Sequence, residues 1–287
     1  MSPLDLLRQF VMGISSGMVT FLMAAGMSLV MSGMNIINFG QGAFFILGAF
    51  LCYSLCTVMS FWWALVVAPL IVAILGGLSE FLLRPLYGKS ILYQLLLTMG
   101  VTFVIVDGIR TLWGKSIRTI MVPVFLSSTV SFLGLDFPTY YIFIIVISGL
   151  VAVGLWLMFE RTKLGMLFRA IISDREMVGN LGINVALVFS AMFMFGVWLS
   201  GVAGVLMAPI IGIDSQLAVQ VLFTLMTVLV IGGLTSMRGA LVASLIVGVA
   251  NALGSMLLPW FYTLIPAAMM IIVLLIKPEG LFGQPEG

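Results

Sequence analysis

The sequence predicts an all-α fold: a polytopic bundle of about 8–9 transmembrane helices, one of them broken or re-entrant. Of 287 residues, 62% are hydrophobic and 8% are charged, whereas soluble domains are about half apolar and about a quarter charged. No charged residue occurs between Arg8 and Glu80, an interval long enough for three crossings of about 20 apolar residues each. The apolar runs do not alternate in polarity, which favours helices over the strands of a membrane barrel.

Apolar runs along the rest of the chain complete the set of predicted spans. The predicted spans are residues 9–31, 35–58, 62–83, 92–111, 138–159, 186–210, 217–236, 239–257 and 260–276. Backbone polar groups in lipid must be satisfied within the segment, so each span is expected to be helical. We predict that the chain, 1–287, forms a single transmembrane domain.

The segment 33–45 has the weakest helical pattern among these spans. It contains three glycines and three amides: Gly33, Gly40, Gly42, Asn35, Asn38 and Gln41. Irregular backbone at membrane depth is tolerated only where it is buried in protein or lines a cavity. We therefore expect the break or re-entrant turn here.

Basic residues predict the orientation in the membrane, because cytoplasmic loops carry the excess of Lys and Arg. The segment 160–176 contains Arg161, Lys163, Arg169 and Arg175, so we predict that it is cytoplasmic. Counting crossings from there places Arg84, Lys89, Arg238 and Lys277 on the same side. The segment 112–137 is then external, and so is the N-terminus if all nine spans are real.

Composition excludes several classes of function. Histidine is absent, which excludes His-based zinc sites, His-ligated haem and Ser-His-Asp catalysis in this chain. The tripeptides Gly-Lys-Ser at 88–90 and 114–116 lack the earlier glycine that a phosphate-binding loop requires. We expect no cofactor on this chain and no nucleic-acid partner, since the basic residues are explained by membrane orientation.

The segment 160–185 is the most charge-dense stretch of the chain. Asp174, Arg175 and Glu176 open a short predicted helix, where acidic residues are favoured at the N-terminus, and Gly179 and Gly182 follow. The residues alone leave two interpretations: a solvated loop held on one side by its arginines, or a docking surface for a partner.

Three stretches of this sequence resemble one family. The order Gly165, Arg169, Asp174–Glu176, Gly182–Asn184 resembles the coupling loop of permeases in the branched-chain amino acid (LIV-type) ATP-binding-cassette (ABC) importer family. Residues 35–42 are similar to its Asn-Phe-Ala-His-Gly-Glu element, and residues 230–240 to its Gly-Gly-Leu-Gly-Ser-x-x-Gly-Ala element. Together with length and span count, the likeness covers nearly the whole chain and points to the smaller of the family's permease subunits.

The sequence also departs from the family pattern. Glu176 and Gly182 keep the spacing of the Glu-Ala-Ala-x-x-x-Gly signature, but Met177 and Val178 replace its alanines. Gln41 and Ala43 stand where the second element usually has His and Glu. A neutral amide in place of a titratable group weakens any transfer of the family's substrate.

The resemblance implies a non-catalytic permease of the bacterial inner membrane that works by alternating access. It implies two ABC ATPase subunits, which carry ATP and Mg, a periplasmic binding protein and a second homologous permease. The substrate class would be a branched-chain amino acid or a related small amide, carboxylate or aromatic acid. The ATPase-coupling residues would be Gly165, Arg169, Asp174, Arg175, Glu176 and Gly182.

Polar stripes at helical spacing give the candidates for a solute pathway. They are Asn35, Asn38 and Gln41; Gln94 and Thr98; and Gln216, Gln220 and Thr224. Uncharged polar groups inside a bundle either join helices by hydrogen bonds or line a pathway.

Two other functions compete with the importer hypothesis. A stand-alone secondary transporter or channel is the first alternative, although ion-coupled transporters usually place acids or His within spans. A membrane enzyme or scaffold is the second. An enzyme needs a nucleophile, a metal cluster or an acid–base pair, and the sequence shows none.

Overall fold

The computed structural model describes residues 3–132, 135–257, 259–261 and 264–283. Within them lie eleven α-helices, most of which follow the predicted spans closely. They are α1 Pro3–Met34, α2 Gln41–Leu55, α3 Phe61–Leu83, α4 Ile91–Trp113, α5 Thr139–Arg161, α6 Lys163–Ser173, α7 Arg175–Asn180, α8 Val185–Met207, α9 Leu217–Gly232, α10 Met237–Leu257 and α11 Ile265–Ile276. Helices α6 and α7 occupy the predicted coupling segment, and each of the other nine overlaps one of the nine predicted spans.

The helices are apolar enough for a polytopic membrane protein. Six described helices, α1, α3, α4, α5, α8 and α10, are long and apolar enough to cross a membrane. Helices α2, α9 and α11 are apolar but shorter, with 15, 16 and 12 residues. The prediction of about 8–9 crossings therefore depends on these three. The predicted span 260–276 includes residues 262 and 263, which lie outside the described residues.

The chain leaves the helical conformation at 35–40, within the stretch whose glycines and amides predict a break. Asn35 has a φ of 54°, and α2 begins only at Gln41, six residues later than the predicted span 35–58. The Gln41 Nε2 donates a hydrogen bond of 2.9 Å to the Gly196 carbonyl. Because Gly196 lies midway along α8, α2 begins inside the bundle rather than at its end.

The helix ends divide the bundle into two faces, and the basic residues are unevenly divided between them. We call the end that carries α6 and α7 the basic face and the end that carries residues 114–138 the opposite face. The basic face holds Arg84, Lys89, Arg161, Lys163, Arg169, Arg175, Arg238 and Lys277. The opposite face holds Arg8, Arg110, Lys115 and Arg118. The structure thus groups together the basic residues that the sequence predicts to share one side.

The N-terminal end of α1 lies at the opposite face. A Cβ added at Gly13 would lie 2.6 Å from the Cα of Val249, just past the middle of α10, and Gln9 lines the same cavity as Ser255 near the end of α10. The other end of α1 reaches the basic face, where the Ser32 hydroxyl donates to the Thr235 carbonyl at 3.2 Å. Helices α1 and α10 therefore pack antiparallel over most of their length.

The connection between α4 and α5 contains a small β-hairpin that the all-α prediction missed. Strands β1 Thr129–Phe132 and β2 Leu135–Pro138 pair antiparallel, with Thr129 opposite Pro138. Earlier in the same connection, Arg118 and Ile213 exchange backbone hydrogen bonds of 3.0 and 2.8 Å. The opposite face is thereby covered by a structured connection that reaches the turn between α8 and α9.

Small residues let α1, α2 and α8 approach closely at the centre of the bundle. An added Cβ would overlap the Gly196 carbonyl if placed at Gly26, and the Phe45 carbonyl if placed at Gly204. At Gly48 it would lie 2.7 Å from the Gly201 carbonyl. Such close backbone approach is how helices associate in lipid, where burial of apolar surface supplies little driving force.

Candidate functional site

Helix α6 folds tightly against the end of α5 at the basic face. Gly165 is buried, and an added Cβ there would overlap the Met158 carbonyl at the end of α5. The Thr162 hydroxyl caps α6 by accepting a hydrogen bond of 3.1 Å from the Gly165 amide. The predicted coupling residue Gly165 therefore has a structural reason to be glycine.

Helix α7 is short and capped at both ends by predicted coupling residues. One Asp174 oxygen accepts from the Glu176 amide at 3.0 Å and from the Met177 amide at 2.9 Å, which satisfies two of the free donors of the first turn. Gly182 follows the helix with a φ of 81°, a left-handed conformation that glycine adopts without strain. Both residues shape the segment whatever it binds.

The exposed side of α7 combines charges with large apolar side chains. Arg175 and Glu176 are exposed, and beside them Met177 and Leu181 are 60% and 69% exposed. We call these four residues the α7 surface. Exposed apolar groups next to charges at the water end of a membrane protein are typical of a protein-docking site, and α7 leads within five residues into α8.

Arg169 lies apart from the other predicted coupling residues. It lines a groove between α5 and α10 together with Trp156 and Arg238. The structure therefore brings Asp174, Arg175, Glu176 and Gly182 into one short element, whereas Gly165 lies in the first turn of α6 against the end of α5.

A cavity of about 660 Å³ lies among α1, α9 and α10, in the half of the bundle nearer the opposite face. Its polar lining consists of Gln9, Ser16, Thr20, Gln220, Thr224, Asn251 and Ser255. Methionines and aromatic side chains, including Met23, Met207 and Tyr141, supply much of the rest. Among the described residues that line it, none is charged, so this cavity suits a solute without net charge.

Asn251 lines the cavity with a side-chain oxygen that has no hydrogen-bond partner among the described residues. Its Oδ1 is buried and accepts no hydrogen bond from any described residue, so it is available to a donor on a solute or a water molecule. Sequence reasoning missed this residue. A signal was present, since Asn251 is the lone amide in the uncharged run 239–276.

The structure places the predicted pathway residues in different surroundings. Gln220 and Thr224 line the cavity, whereas Gln216 lines a separate pocket of about 170 Å³ beside Arg110, Lys115 and Asp214. Asn35 is exposed at the end of α1.

The other four candidates are buried in helix packing. The Asn38 Nδ2 donates to the Gln41 Oε1 at 3.2 Å, which fixes the break before α2. The Gln94 Nε2 donates to the Leu86 carbonyl at 3.2 Å, and the Thr98 hydroxyl bonds the backbone of its own helix. Placement alone does not test a pathway role, which stays a prediction for all eight residues.

A buried acid near the basic face is a further residue that sequence reasoning did not single out. The Glu80 side chain is 1% exposed and pairs with Arg84 at 3.2 Å. It also accepts from the Ser190 hydroxyl at 2.8 Å and from the Tyr87 hydroxyl. Because Ser190 is in the second turn of α8, this network fastens α3 to the end of α8 that follows α7.

Tyr87 takes part in the network in its protonated form. Its ring packs edge-on against Phe189 at a centroid distance of 5.5 Å. Burial, and then the hydrogen bond to Glu80, raise the pKa of the Tyr87 phenol above its ordinary value. The phenol therefore stays a hydrogen-bond donor to the carboxylate over the physiological pH range.

The chain is similar to a family profile, to individual permease proteins and to a solved structure. The profile of a family described as "Branched-chain amino acid transport system / permease component" matches residues 9–274. BraD of Pseudomonas aeruginosa, a high-affinity branched-chain amino acid transport system permease protein, is 29% identical over 98% of this chain and 96% of its own. LivH of Escherichia coli, described in the same words, is 26% identical, again over 98% of this chain and 96% of its own. The solved structure of PsaBC from Streptococcus pneumoniae in complex with Fab is 15% identical, with a TM-score of 0.48 over 97% of this chain and 92% of that one.

Proposed function

Because the chain belongs to the family of branched-chain amino acid transport system permease components, we propose that it is the translocating subunit of an ABC importer that takes up a small zwitterionic or neutral solute. One observation carries this proposal. The α7 surface at the basic face continues directly into α8, while a cavity with an uncharged polar lining lies in the half of the bundle nearer the opposite face. The chain thus has a docking surface and a solute cavity at opposite ends.

Helix α8 supplies the mechanical link between the two ends. It packs against α1, α2 and α3, and the Glu80 network fastens its first turns to α3. Two ATPase subunits, which carry ATP and Mg, dock on the α7 surface and shift it when they close. A displaced α8 then repacks the centre, and alternating access follows as a population shift between two packings.

In this proposal the chain crosses the bacterial inner membrane nine times, with α2, α9 and α11 as short crossings. The basic face is cytoplasmic because it holds eight of the twelve basic residues, as expected for cytoplasmic loops. The N-terminus is then periplasmic, and the cavity lies towards the side from which a periplasmic binding protein delivers substrate.

The cavity lining favours an amino acid or a related small amide over an ion. Methionine and aromatic side chains suit an aliphatic side chain, while Gln220, Asn251 and the cavity hydroxyls can exchange hydrogen bonds with its polar groups. Without a charged lining residue, no single ion pair sets specificity, which leaves much of it to the binding protein. A second homologous permease completes the membrane part of the complex.

The decisive experiment changes the α7 surface and leaves the caps of α7 intact. We expect the double variant Arg175→Ala/Glu176→Ala to insert and fold normally. Its ATPase subunits should no longer co-purify, and ATP-driven uptake into proteoliposomes should fall at least about tenfold, because the docking contacts are lost. Lys89→Ala, which removes an exposed charge from the same face but outside the α7 surface, serves as the matched control.

Full ATPase co-purification and full uptake by the double variant would rule out this assignment of the α7 surface. ATP-independent uptake by the purified chain alone, driven by an ion gradient, would instead favour a secondary transporter.

A further inference from the structure

A groove of about 440 Å³ lies between α5 and α10 and reaches α6 at the basic face. Its deeper walls are apolar, with Phe21, Ala152, Val153 and Leu241 among the lining residues. This groove is separate from the solute cavity, which lies in the other half of the bundle.

Charged groups occur only at the mouth of the groove. Arg169 of α6 and Arg238 of α10 both line it, and Glu160 is the one acid beside them. Both arginines are exposed, and within the described residues neither forms an ion pair. Two arginines from different elements therefore line one mouth, where positive charge exceeds negative charge.

The polarity of the groove changes in one direction along α5. Glu160 lies at the mouth, Trp156 one turn deeper and Ala152 a further turn deeper. Tryptophan is enriched at the level of lipid headgroups, so Trp156 marks the boundary between the charged mouth and the apolar depth. The groove is thus amphipathic along the membrane normal, which suits a ligand with an anionic head and an apolar tail.

We propose that this groove binds one anionic phospholipid from the leaflet on the basic face. Its phosphodiester accepts hydrogen bonds from Arg169 and Arg238, since guanidinium matches phosphate geometry, and an acyl chain lies along α5 between Trp156 and Leu241. Basic pockets between membrane helices on the cytoplasmic side are suited to such headgroups. A free phosphate would leave the apolar depth unused.

The proposal changes the interpretation of Arg169. Its guanidinium faces lipid and not an ATPase, so Arg169 anchors α6 to the membrane beside the α7 surface. The bound lipid would then join α5, α6 and α10 at the end of the bundle where docking takes place.

The test is native mass spectrometry of the purified full-length chain with added phosphatidylglycerol or phosphatidylcholine of equal chain length. We expect phosphatidylglycerol to be retained at least about tenfold more tightly than phosphatidylcholine. Each neighbouring basic residue contributes about 1 kcal/mol to such binding. Arg169→Gln or Arg238→Gln alone should therefore weaken retention about fivefold, and the double variant about thirtyfold.

Three further variants separate the groove from general surface charge. Arg161→Gln removes a basic residue of the same face outside the groove and should leave retention unchanged. Glu160→Gln removes the one acid at the mouth and should strengthen retention. Ala152→Phe fills the apolar depth without changing any charge and should weaken retention as the arginine variants do.

Thermal melting of each variant in lipid-free detergent checks that the fold is intact. Equal retention of the two lipids by the wild type would overturn the proposal, and so would an Arg161→Gln loss as large as the Arg169→Gln loss. Displacement of phosphatidylglycerol by inorganic phosphate at equal concentration would also overturn it, because the site would then recognise phosphate alone. If the double variant fails to fold, the single variants and Ala152→Phe still decide the matter.

Discussion

Helices α1 and α4 are both apolar enough to span a membrane, but α1 is mostly buried inside the bundle and α4 is mostly exposed on its outside. In the most apolar part of α1, 72% of the residues are buried, against 22% in α4 and 17% in α5. Helices α1, α2 and α8 form an inner group, and α4 and α5 form an outer group that contacts few other helices. Apolarity therefore does not tell which helices form the centre of this bundle.

The inner and outer groups differ in what their small and polar residues contact. Gly26 and Gly196 of the inner group face each other's backbone, whereas added Cβ atoms at Gly100 and Gly154 of the outer group would meet nothing within 4 Å. Helix α4 turns its polar stripe inwards and its apolar side outwards. In lipid, small residues and hydrogen bonds decide which side of a helix faces protein.

The largest expected effect comes from making the same substitution, glycine to alanine, once in the inner group and once in the outer group. Gly26→Ala places a methyl group on the Gly196 carbonyl, so the helices must separate, and we expect a loss of about 3 kcal/mol in the free energy of unfolding. Gly154→Ala adds the same methyl group where nothing is near, and should be neutral or slightly stabilising. Denaturation by sodium dodecyl sulphate measures both, and equal effects would break the distinction between the groups.

A smaller effect is expected at the edge of the inner group, where Glu80 and Arg84 join α3 to α8. Arg84→Gln leaves the buried Glu80 carboxylate with hydroxyl partners alone. Because the Arg84 side chain is 41% exposed, we expect a cost of about 2 kcal/mol rather than the larger cost of a fully buried pair.

A second substitution tests the physical reason for that cost. The double variant Glu80→Gln/Arg84→Gln removes the uncompensated charge and should recover most of the lost stability. Lys89→Gln, which changes an exposed charge of the same connection, should have little effect. If the double variant were as unstable as Arg84→Gln, the packing of α8 on α3 would not depend on the charge balance.

The smallest effect concerns the outer group. The Thr102 hydroxyl donates a bifurcated hydrogen bond to the Thr98 carbonyl of its own helix at 2.9 Å and to the Phe39 carbonyl at 3.2 Å, and the second branch joins α4 to the break before α2. Thr102→Val should cost about 0.6 kcal/mol, the typical value for a hydrogen bond between membrane helices. Val104→Ala, on the exposed side of the same helix, should cost less. A larger loss for Val104→Ala would show that the outward side of α4 packs against another protein.

Two polar stripes with the same spacing show what sequence reasoning could resolve about the site. Gln94 and Thr98 lie in a stripe of period four, and so do Gln220 and Thr224. In the structure the first pair is buried against the chain and the second lines the cavity. The spacing does not distinguish these two surroundings, because a helix–helix contact and a cavity lining use the same types of residue.

Helix α7 was predictable because its caps are local. Asp174 caps the helix two and three residues ahead, and Gly182 ends it, so both ends follow from short-range hydrogen bonds and backbone preferences. The cavity was not predictable, since Gln9, Gln220 and Asn251 come from helices that are distant in the sequence. Their meeting depends on how α1, α9 and α10 pack.

The sequence by itself determined that this chain is a multi-pass helical membrane protein, where most of its helices begin and end, and where α7 begins. These features depend on local hydrophobicity, helix caps and charge, which act over a few residues. The tertiary structure alone decided which apolar helices form the inner group, that Arg169 faces a groove and that Asn251 faces a cavity. In lipid these outcomes depend on backbone approach and hydrogen bonding between distant segments, which no local pattern specifies.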